Sequence, residues 1–301
     1  MAVSPASAPG SLGPFDRRLL ARRRARAAAT IHRAAPLLEG AADLLLDRLD
    51  DTTRRFTAAL DLGGRGVVAP RLRARGIDFV VSADLAPAMA RIAGGEPVAA
   101  DEEWLPFGAG SFDLVVASLS LHTVNDLPGA LIQIRRALRP DGLFLATLPG
   151  LGTLQPLREA LAAVEDELRG GAAPRVSPFP TLQDAAALLQ RAGFALPVAD
   201  LDRLDAAWRS PLGLLRDLQA AGEQAALHAR DRRVPPRGLF PGALARLAAT
   251  TPIEAPLPLL VMTGWAPGPD QPQPARPGSA TIRLADALGV EERRSGEAAP
   301  R

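Results

Sequence analysis

The 301-residue sequence contains no cysteine and no tyrosine, and all 35 residues counted as Lys or Arg are arginine. Without lysine the chain cannot form a Schiff base or use a Walker-type phosphate-binding lysine. Without cysteine it has no disulfide, thiol nucleophile, thiolate zinc site or cysteine-held iron–sulfur cluster. With three histidines in all, we expect no metal site. Chemistry must come from carboxylates, one or two imidazoles, arginines, backbone groups or a bound cofactor.

Charge and hydropathy limit the partners. The net charge is only +2, and the high isoelectric point follows from the absence of lysine and tyrosine, so it gives no support for a nucleic-acid partner. No apolar run reaches about 18 residues, so we expect no integral membrane segment. Arginine in place of lysine and abundant alanine suggest a GC-rich genome, which favours the bacterial cytoplasm. The Arg- and Ala-rich start also resembles a mitochondrial transit peptide, which predicts the matrix if the source is eukaryotic.

The first 50 residues differ in composition from the rest. Residues 1–14 are rich in proline, glycine and serine, which predicts disorder. Residues 15–50 predict helices, the second amphipathic over Pro36–Leu49. The arginine cluster of the first helix is interpreted as a solvated face in preference to a binding patch. A helix in this place, before the first strand, could also cover a ligand pocket as a lid.

From Ala58 onward, short apolar runs alternate with helical patterns, which predicts a doubly wound, mostly parallel sheet of the Rossmann-like α/β class. We expect a core over residues 51–150, a C-terminal half with a helical insertion over 151–265, and an extended tail over 266–301. The predicted strands are Ala58–Leu62, Phe79–Ala83, Pro97–Ala100, Phe112–Ala117, Leu143–Leu148, Leu196–Leu201 and Leu257–Trp265.

Glycines and carboxylates follow the first three predicted strands. Asp61 begins a glycine turn, Asp84 ends the second strand 23 positions later, and Asp101 follows the third. Glycines let the backbone approach a ligand, and a carboxylate at the second position can accept bonds from ribose hydroxyls. Each acid alone is equally well explained as a helix cap or a surface group. Together, at the carboxyl ends of successive strands, they indicate a site for an adenosine-type ligand.

Two downstream motifs indicate which ligand. The segment Asp101-Glu102-Glu103-Trp104-Leu105-Pro106-Phe107, with Leu138-Arg139-Pro140-Asp141-Gly142, resembles the class I S-adenosylmethionine-dependent methyltransferases. The resemblance implies a seven-stranded sheet whose last strand is antiparallel, and S-adenosylmethionine as the cofactor. The residues that it places around the cofactor are Asp61, Gly63, Gly64, Gly66, Asp84, Leu85, Asp101, Glu102 and Ser118.

A narrower resemblance covers nearly the whole chain. Phe15-Asp16-Arg17-Arg18, Ser118-Leu119-Ser120-Leu121-His122, Val124-Asn125-Asp126-Leu127-Pro128 and Pro174-Arg175-Val176-Ser177-Pro178-Phe179 are similar to the respiratory complex I assembly factor 5 family and its bacterial relatives. Those relatives are often grouped with malonyl-acyl-carrier-protein O-methyltransferases, whereas the mitochondrial member is understood to hydroxylate an arginine. The glycine turn here is one residue shorter than the family pattern, and His122 is followed by threonine instead of tryptophan.

Three side chains are candidates for the chemistry. His122 is a candidate general base or positioning group, and a loop-capping histidine is an equal alternative. Arg175 and Glu223 are candidate substrate contacts. The first hypothesis is methyl transfer to a small-molecule, carrier-bound or protein acceptor. The second is hydroxylation of an arginine of a complex I subunit, although the sequence lacks a two-histidine-one-carboxylate iron pattern. The third is a cofactor-binding scaffold without catalysis.

Overall fold

The computed structural model describes residues 13–249, 252–269, 271, 279 and 281–290. These residues fall into two compact units, divided after Gly268. Of the segment 1–14 that was predicted to be disordered, residues 1–12 lie outside the described residues, as does much of the predicted tail 266–301. The described part of that tail includes a short helix at Leu284–Leu288.

The first unit contains a large sheet and the helices that cover it. The strands of the described residues are β1 (Ala58–Leu62), β2 (Phe79–Asp84), β3 (Glu96–Ala99), β4 (Phe112–Ser118), β5 (Leu138–Pro149), β6 (Ala195–Leu204), β7 (Ala207–Trp208), β8 (Ile253–Glu254) and β9 (Leu257–Trp265). The helices are α1 (Arg17–Ala27), α2 (Ala35–Asp50), α3 (Val68–Ala74), α4 (Pro87–Ile92), α5 (Leu127–Ala137), α6 (Gln155–Arg169), α7 (Leu182–Arg191), α8 (Pro211–Ala220), α9 (Leu239–Ala248) and, in the second unit, α10 (Leu284–Leu288).

Seven of these strands form one sheet in the order β3-β2-β1-β4-β5-β9-β6. The pairs from β3 to β5 are parallel, whereas β9 lies antiparallel between β5 and β6. The chain order reverses between β1 and β4, which is the switch point at which open α/β sheets bind ligands. The predicted fold class, with a mostly parallel sheet and an antiparallel last strand, is confirmed.

Strand β5 is longer than predicted. The sequence Pro140-Asp141-Gly142 predicts a turn before a strand that begins at Leu143, but β5 begins at Leu138, directly after α5. Phe112 pairs with Leu138, and the register with β4 then shifts before Leu114 pairs with Leu143. The turn residues are therefore accommodated as an irregularity within the strand, where Asp141 adopts φ +58°.

The pleat of the strands divides the core into two layers. On β4, Leu114 and Val116 pack with α2 and α3, whereas Val115 and Ala117 pack with α5 and α7. Because successive residues of a strand point to opposite faces, a strand buried on both sides carries apolar residues on both of them. A third apolar cluster joins α6, α8 and α9 around Trp208, and it forms the predicted helical insertion before β9.

Local signals at the helix starts explain several boundaries. The Asp16 carboxylate accepts a bond from the backbone N–H of Leu19 at the start of α1, and Asp126 does the same for Gly129 at the start of α5. Such caps satisfy backbone donors that the helix itself cannot. The neighbouring Asn125 accepts a bond from the backbone N–H of Phe15 and so contacts the residues before α1. Within the described residues, no helix has the length and apolar character needed to cross a membrane.

Candidate functional site

The glycine turn follows β1 at the switch point of the sheet. Gly63 and Gly66 adopt φ +74° and +91°, values that glycine tolerates and that side chains disfavour. A Cβ on Gly64 would overlap the Asp61 carboxylate, and one on Gly63 would lie 2.5 Å from the Ser120 Cβ. The turn therefore requires glycine at these positions and brings the backbone close to the ends of β1 and β4.

Asp61 lies beneath this turn and is fully buried. Its carboxylate accepts a bond from the Ser82 hydroxyl at 3.3 Å. Burial raises the pKa of Asp61 to about 7, and this effect exceeds the opposing effect of its hydrogen bonds. Asp61 thus supports the turn from below, in a place where its neutral form is favoured.

Asp84 ends β2 and is 1% exposed. One oxygen, Oδ1, accepts a bond from the N–H of Ala86 at 2.7 Å. The other, Oδ2, has no hydrogen-bond partner and lies 3.7 Å from Arg24 Nη1. A buried carboxylate oxygen without a donor fits a ligand with hydroxyl groups, such as a ribose. The neighbouring Leu85 is half-buried.

The acids after β3 are held by two arginines of α1. Glu102 is fully buried and accepts a bond from Arg24 Nη1 at 2.7 Å and another from Arg17. Arg17 also donates to Asp101 at 2.6 Å. Burial opposes ionisation of Glu102, but the two arginines outweigh it and lower its pKa to about 2. Glu102 therefore anchors α1, whereas Asp101 is partly exposed.

These contacts correct the interpretation of α1 as a solvated arginine face. Arg18, Arg22 and Arg26 are exposed as expected, but Arg24 is fully buried and Arg17 is mostly so. Residues seven apart lie on the same side of a helix, and Leu20 and Ala27 complete that buried side. The spacing of Arg17 and Arg24 with these apolar residues was the signal that could have identified the inward face. The helix contacts the candidate cofactor carboxylates through these two arginines, and its action as a lid stays a prediction.

The residues after β4 continue the same edge. Ser118 is buried, and its Oγ lies 3.5 Å from Thr147 Oγ1. Leu119 adopts φ +51° and Arg65 in the glycine turn φ +52°, and Arg65 Nη2 donates to the Leu119 carbonyl at 3.0 Å. Non-glycine residues in this region of backbone space carry strain and concentrate at functional sites. The two strained residues meet directly, and sequence reasoning missed the role of Arg65.

His122 and Glu223, predicted separately, are in contact. His122 Nε2 lies 2.9 Å from Glu223 Oε2, and Arg65 donates to Glu223 Oε1. Glu223 follows α8 and Gly222, whose φ of +77° and close approach to Arg24 require glycine. Burial opposes ionisation of Glu223, but Arg65 and then His122 hold its pKa well below the ordinary value. The carboxylate is therefore charged and joins the glycine turn to the residues after β4.

A cavity of about 590 Å³ adjoins this contact. Arg65, His122 and Glu223 line it, together with Arg175, which is paired with Glu165 at 2.5 Å. Most of the lining is apolar and comes from α2, α6, α8 and the segment before α7, including Leu37, Leu38, Leu154, Leu157, Leu161, Phe179, Trp208 and Leu215. The predicted substrate residues thus lie on the wall of one cavity, beside the predicted cofactor edge. Among the described residues, no group of three His, Cys, Asp or Glu side chains is placed to hold a metal ion.

Comparison with known proteins agrees with this architecture. The family described as "Methyltransferase domain" matches residues 60–146. The chain is 35% identical to arginine-hydroxylase NDUFAF5, mitochondrial, of Danio rerio, covering 87% of this chain and 84% of that protein. It is 38% identical to the same protein of Homo sapiens, covering 83% and 75%. It is also 36% identical to the malonyl-[acyl-carrier protein] O-methyltransferase of Laribacter hongkongensis, covering 69% and 74%.

S-adenosylmethionine is the cofactor of this fold and family, and the residues present fit it. Asp84 offers an unpartnered buried oxygen, and the glycine turn leaves no room for side chains at Gly63 and Gly64. These features lie at the carboxyl edge of the sheet, beside a cavity suited to a second substrate. The chain belongs to the family of class I S-adenosylmethionine-dependent methyltransferases that includes the NDUFAF5 proteins and the malonyl-[acyl-carrier protein] O-methyltransferases.

Proposed function

We propose that this protein transfers the methyl group of S-adenosylmethionine to an acyl substrate, free or bound to a carrier, that occupies the 590 Å³ cavity. The observation that supports this most is the apolar lining of the cavity directly beside the glycine turn. Leu157, Leu161 and Trp208 offer a surface on which an acyl chain gains hydrophobic free energy. The malonyl-[acyl-carrier protein] O-methyltransferases among the relatives act on such a molecule by name.

The charges of the cavity wall favour an acyl group over a cationic substrate. Five arginines line the cavity, at positions 23, 65, 175, 216 and 230, against three acids. The acids are already engaged: Asp217 accepts from the Trp208 indole at 2.8 Å, Asp231 pairs with Arg169 at 2.7 Å, and Glu223 is held by Arg65. A guanidinium group would therefore find no carboxylate on this wall that is free to pair with it.

The cofactor contacts are assigned as follows. Asp84 accepts hydrogen bonds from the ribose hydroxyls of S-adenosylmethionine. Asp101 lies at the adenine end of the cofactor, and the backbone of Gly63 and Gly64 approaches its methionine end. Ser118, Gly66 and Leu85 complete the edge, and Glu102 acts indirectly by holding α1 in place. When bound, S-adenosylmethionine supplies a methyl group that is already activated by the sulfonium. The chain therefore needs to bind, align and desolvate the two substrates.

A second function follows from the sequence identity to the NDUFAF5 proteins, which are named arginine-hydroxylases. In this alternative the acceptor is an arginine of a respiratory complex I subunit. The two functions also differ in the expected location of the protein. The relatives named mitochondrial would place it in the matrix, whereas the arginine- and alanine-rich composition favours the bacterial cytoplasm.

The test incubates the full chain with S-adenosylmethionine and acyl-pantetheine probes, one malonyl and one 3-hydroxyacyl, and follows products by mass spectrometry. We expect S-adenosylhomocysteine and a methylated thioester to appear in equal amounts. If neither probe is methylated and complex I from a deletion strain lacks an arginine that is one oxygen heavier in the parent strain, the second function replaces the first. No binding of S-adenosylmethionine by a folded chain would leave the non-catalytic scaffold.

A further inference from the structure

Arg23 is a cation on the cavity wall that forms no ion pair with any acid among the described residues. It lies on α1, and its Nη1 donates to the backbone carbonyl of Gln224 at 2.7 Å and to that of Ala225. Arg216, another arginine of the wall, is exposed on α8. The other three arginines of the cavity are paired with acids: Arg65 with Glu223, Arg175 with Glu165 and Arg230 with Asp16. The guanidinium of Arg23 is therefore held in place by neutral oxygens alone.

The same guanidinium has donors left over. An arginine side chain carries five N–H donors, and the bonds to the two carbonyls use those of Nη1, which leaves Nε and Nη2. Among the described residues, the arginine nitrogens that are both buried and unpartnered belong to Arg17, Arg24 and Arg65. The half-buried Arg23 is not among them, so its remaining donors are accessible on a side chain that lines the cavity.

A second arginine of the wall is near enough for its charge to act on Arg23. Arg230 donates through Nη1 to the Leu227 carbonyl at 2.7 Å, and its Nη2 lies 3.3 Å from Asp16 Oδ2. Burial lowers the pKa of Arg23 and the positive charge of Arg230 lowers it further, whereas the Asp16 carboxylate opposes the shift. Two cations held near each other in one wall repel, and an anion bound against them relieves that repulsion.

The backbone that holds both arginines leads to the candidate cofactor edge. Their carbonyl acceptors belong to residues 224–227, which directly follow Glu223, the partner of Arg65 in the glycine turn. The N–H of Asp16 donates to the Ala226 carbonyl at 2.7 Å, so the same segment is bonded to the start of α1. An anion held by the two arginines thus lies on the wall that connects α1 with the glycine turn.

We propose that Arg23 and Arg230 form an anion-binding site that holds a carboxylate or phosphate group of the acyl substrate or of the arm that carries it. The inference rests on the proposed methyl transfer and adds a negative charge to the class of substrate. The planar fork of an arginine donates parallel bonds to two oxygens of one carboxylate or phosphate. An uncharged acyl chain gains free energy only from the apolar lining, whereas an anionic substrate gains it from both parts of the wall.

Four thioester probes separate the sources of the anion: malonyl and 3-hydroxybutyryl groups, each on pantetheine and on 4′-phosphopantetheine. The 3-hydroxybutyryl-pantetheine probe is uncharged, and the others carry a carboxylate, a phosphate or both. Calorimetric titration of the full chain measures each affinity without any methyl transfer. We expect a charged probe to bind about 10- to 100-fold more tightly than the uncharged one, the range that hydrogen bonds to a charged group supply.

Arg23→Met tests the assignment, because methionine retains an apolar side chain and removes the fork. The charged probe that is preferred by the unaltered protein should bind about 10- to 100-fold more weakly, and the uncharged probe should change by less than about twofold. Arg22→Met is the matched control, since Arg22 is an exposed arginine of the same helix that does not line the cavity. A purely structural role of Arg23 at residues 224 and 225 predicts instead that charged and uncharged probes weaken alike. Arg23→Lys retains the charge without the fork and should keep part of the preference.

The pattern of losses identifies the anion. A preference lost for both malonyl probes assigns the site to a carboxylate, and one lost for both phosphopantetheine probes assigns it to a phosphate. Equal affinity of the unaltered protein for all four probes, binding of none of them, or equal losses in Arg23→Met and Arg22→Met would overturn the proposal. If Arg23→Met does not fold, Arg230→Met replaces it with the same expectation. A preference for charged probes without any methylated product contradicts the proposed methyl transfer and leaves the anion site in place.

Discussion

Asp61 and Glu102 are both fully buried carboxyl groups at the same edge of the sheet, yet the fold favours the neutral form of Asp61 and the ionised form of Glu102. Burial raises the pKa of Asp61 to about 7, whereas the pKa of Glu102 falls to about 2 despite equal burial. The difference is the cation: Arg24 and Arg17 donate to Glu102, whereas the donors to Asp61 are neutral, the Ser82 hydroxyl and backbone N–H groups. Burial alone therefore does not decide whether a carboxylate of this site is charged.

The cations that make the difference come from far away in the sequence. Arg24 lies 78 positions before Glu102, on a helix that precedes the first strand. Asp84 lies between the two cases: burial raises its pKa, and Arg24 at 3.7 Å opposes that rise. Helix α1 thus lowers the pKa of carboxylates at the cofactor edge. Substitution of its arginines is the most direct way to remove the difference between Glu102 and Asp61.

The largest effect is expected from Arg24→Met. It leaves Glu102 with one paired cation and removes the ion-pair partner of Asp84, and removal of one partner of a buried ion pair costs about 3–5 kcal/mol of unfolding free energy. Chemical denaturation measures this loss. Arg22→Met is the matched control, because Arg22 is an exposed arginine of the same helix and should change stability by less than about 0.5 kcal/mol. Equal effects of the two substitutions would show that α1 does not depend on the buried pair.

Asp84→Ala should have the next largest effect, on affinity. A hydrogen bond to a charged group contributes about 1.5–3 kcal/mol, so loss of the carboxylate that binds ribose should weaken S-adenosylmethionine about 100-fold. Calorimetric titration measures it, with Asp200→Ala as the control because Asp200 is half-exposed on β6. Unchanged affinity would exclude Asp84 from the cofactor site and leave its unpartnered oxygen unexplained.

Much of the fold was accessible from sequence because it depends on local patterns. The mostly apolar runs of β1 and β9 have the predicted bounds, because a strand that is covered on both faces is rich in apolar residues. The order of glycines and acids after β1, β2 and β3 also predicted the candidate cofactor edge, because parallel strands that run in one direction all end on one side of a sheet. These signals lie within a few residues of the elements that they describe.

The rest depends on contacts between distant segments, which no local pattern records. The pairing of Glu223 with His122 joins residues 101 positions apart, and it exists because Gly222 lets the segment after α8 cross α1. Arg65 was visible as one residue of a glycine turn, but its bond to Leu119 requires the folded ends of β1 and β4. The sequence supplied the candidates, and the tertiary fold decided which of them meet.

The smallest effect is expected from Asp61→Asn. A group whose pKa is raised in the folded state stabilises the fold below its ordinary pKa of 3.8 and loses that contribution as pH rises through about 7. Asn resembles the neutral carboxyl, so at about pH 4 the variant should match the unaltered protein within about 1 kcal/mol. Between about pH 4 and 7 the unaltered protein should lose more stability than the variant. Asp202→Asn, at a partly exposed position of β6, should keep the original pH dependence, and urea denaturation at each pH measures all three. Parallel curves for Asp61→Asn and the unaltered protein would mean that Asp61 is charged in the fold, and that burial without a cation does not separate it from Glu102.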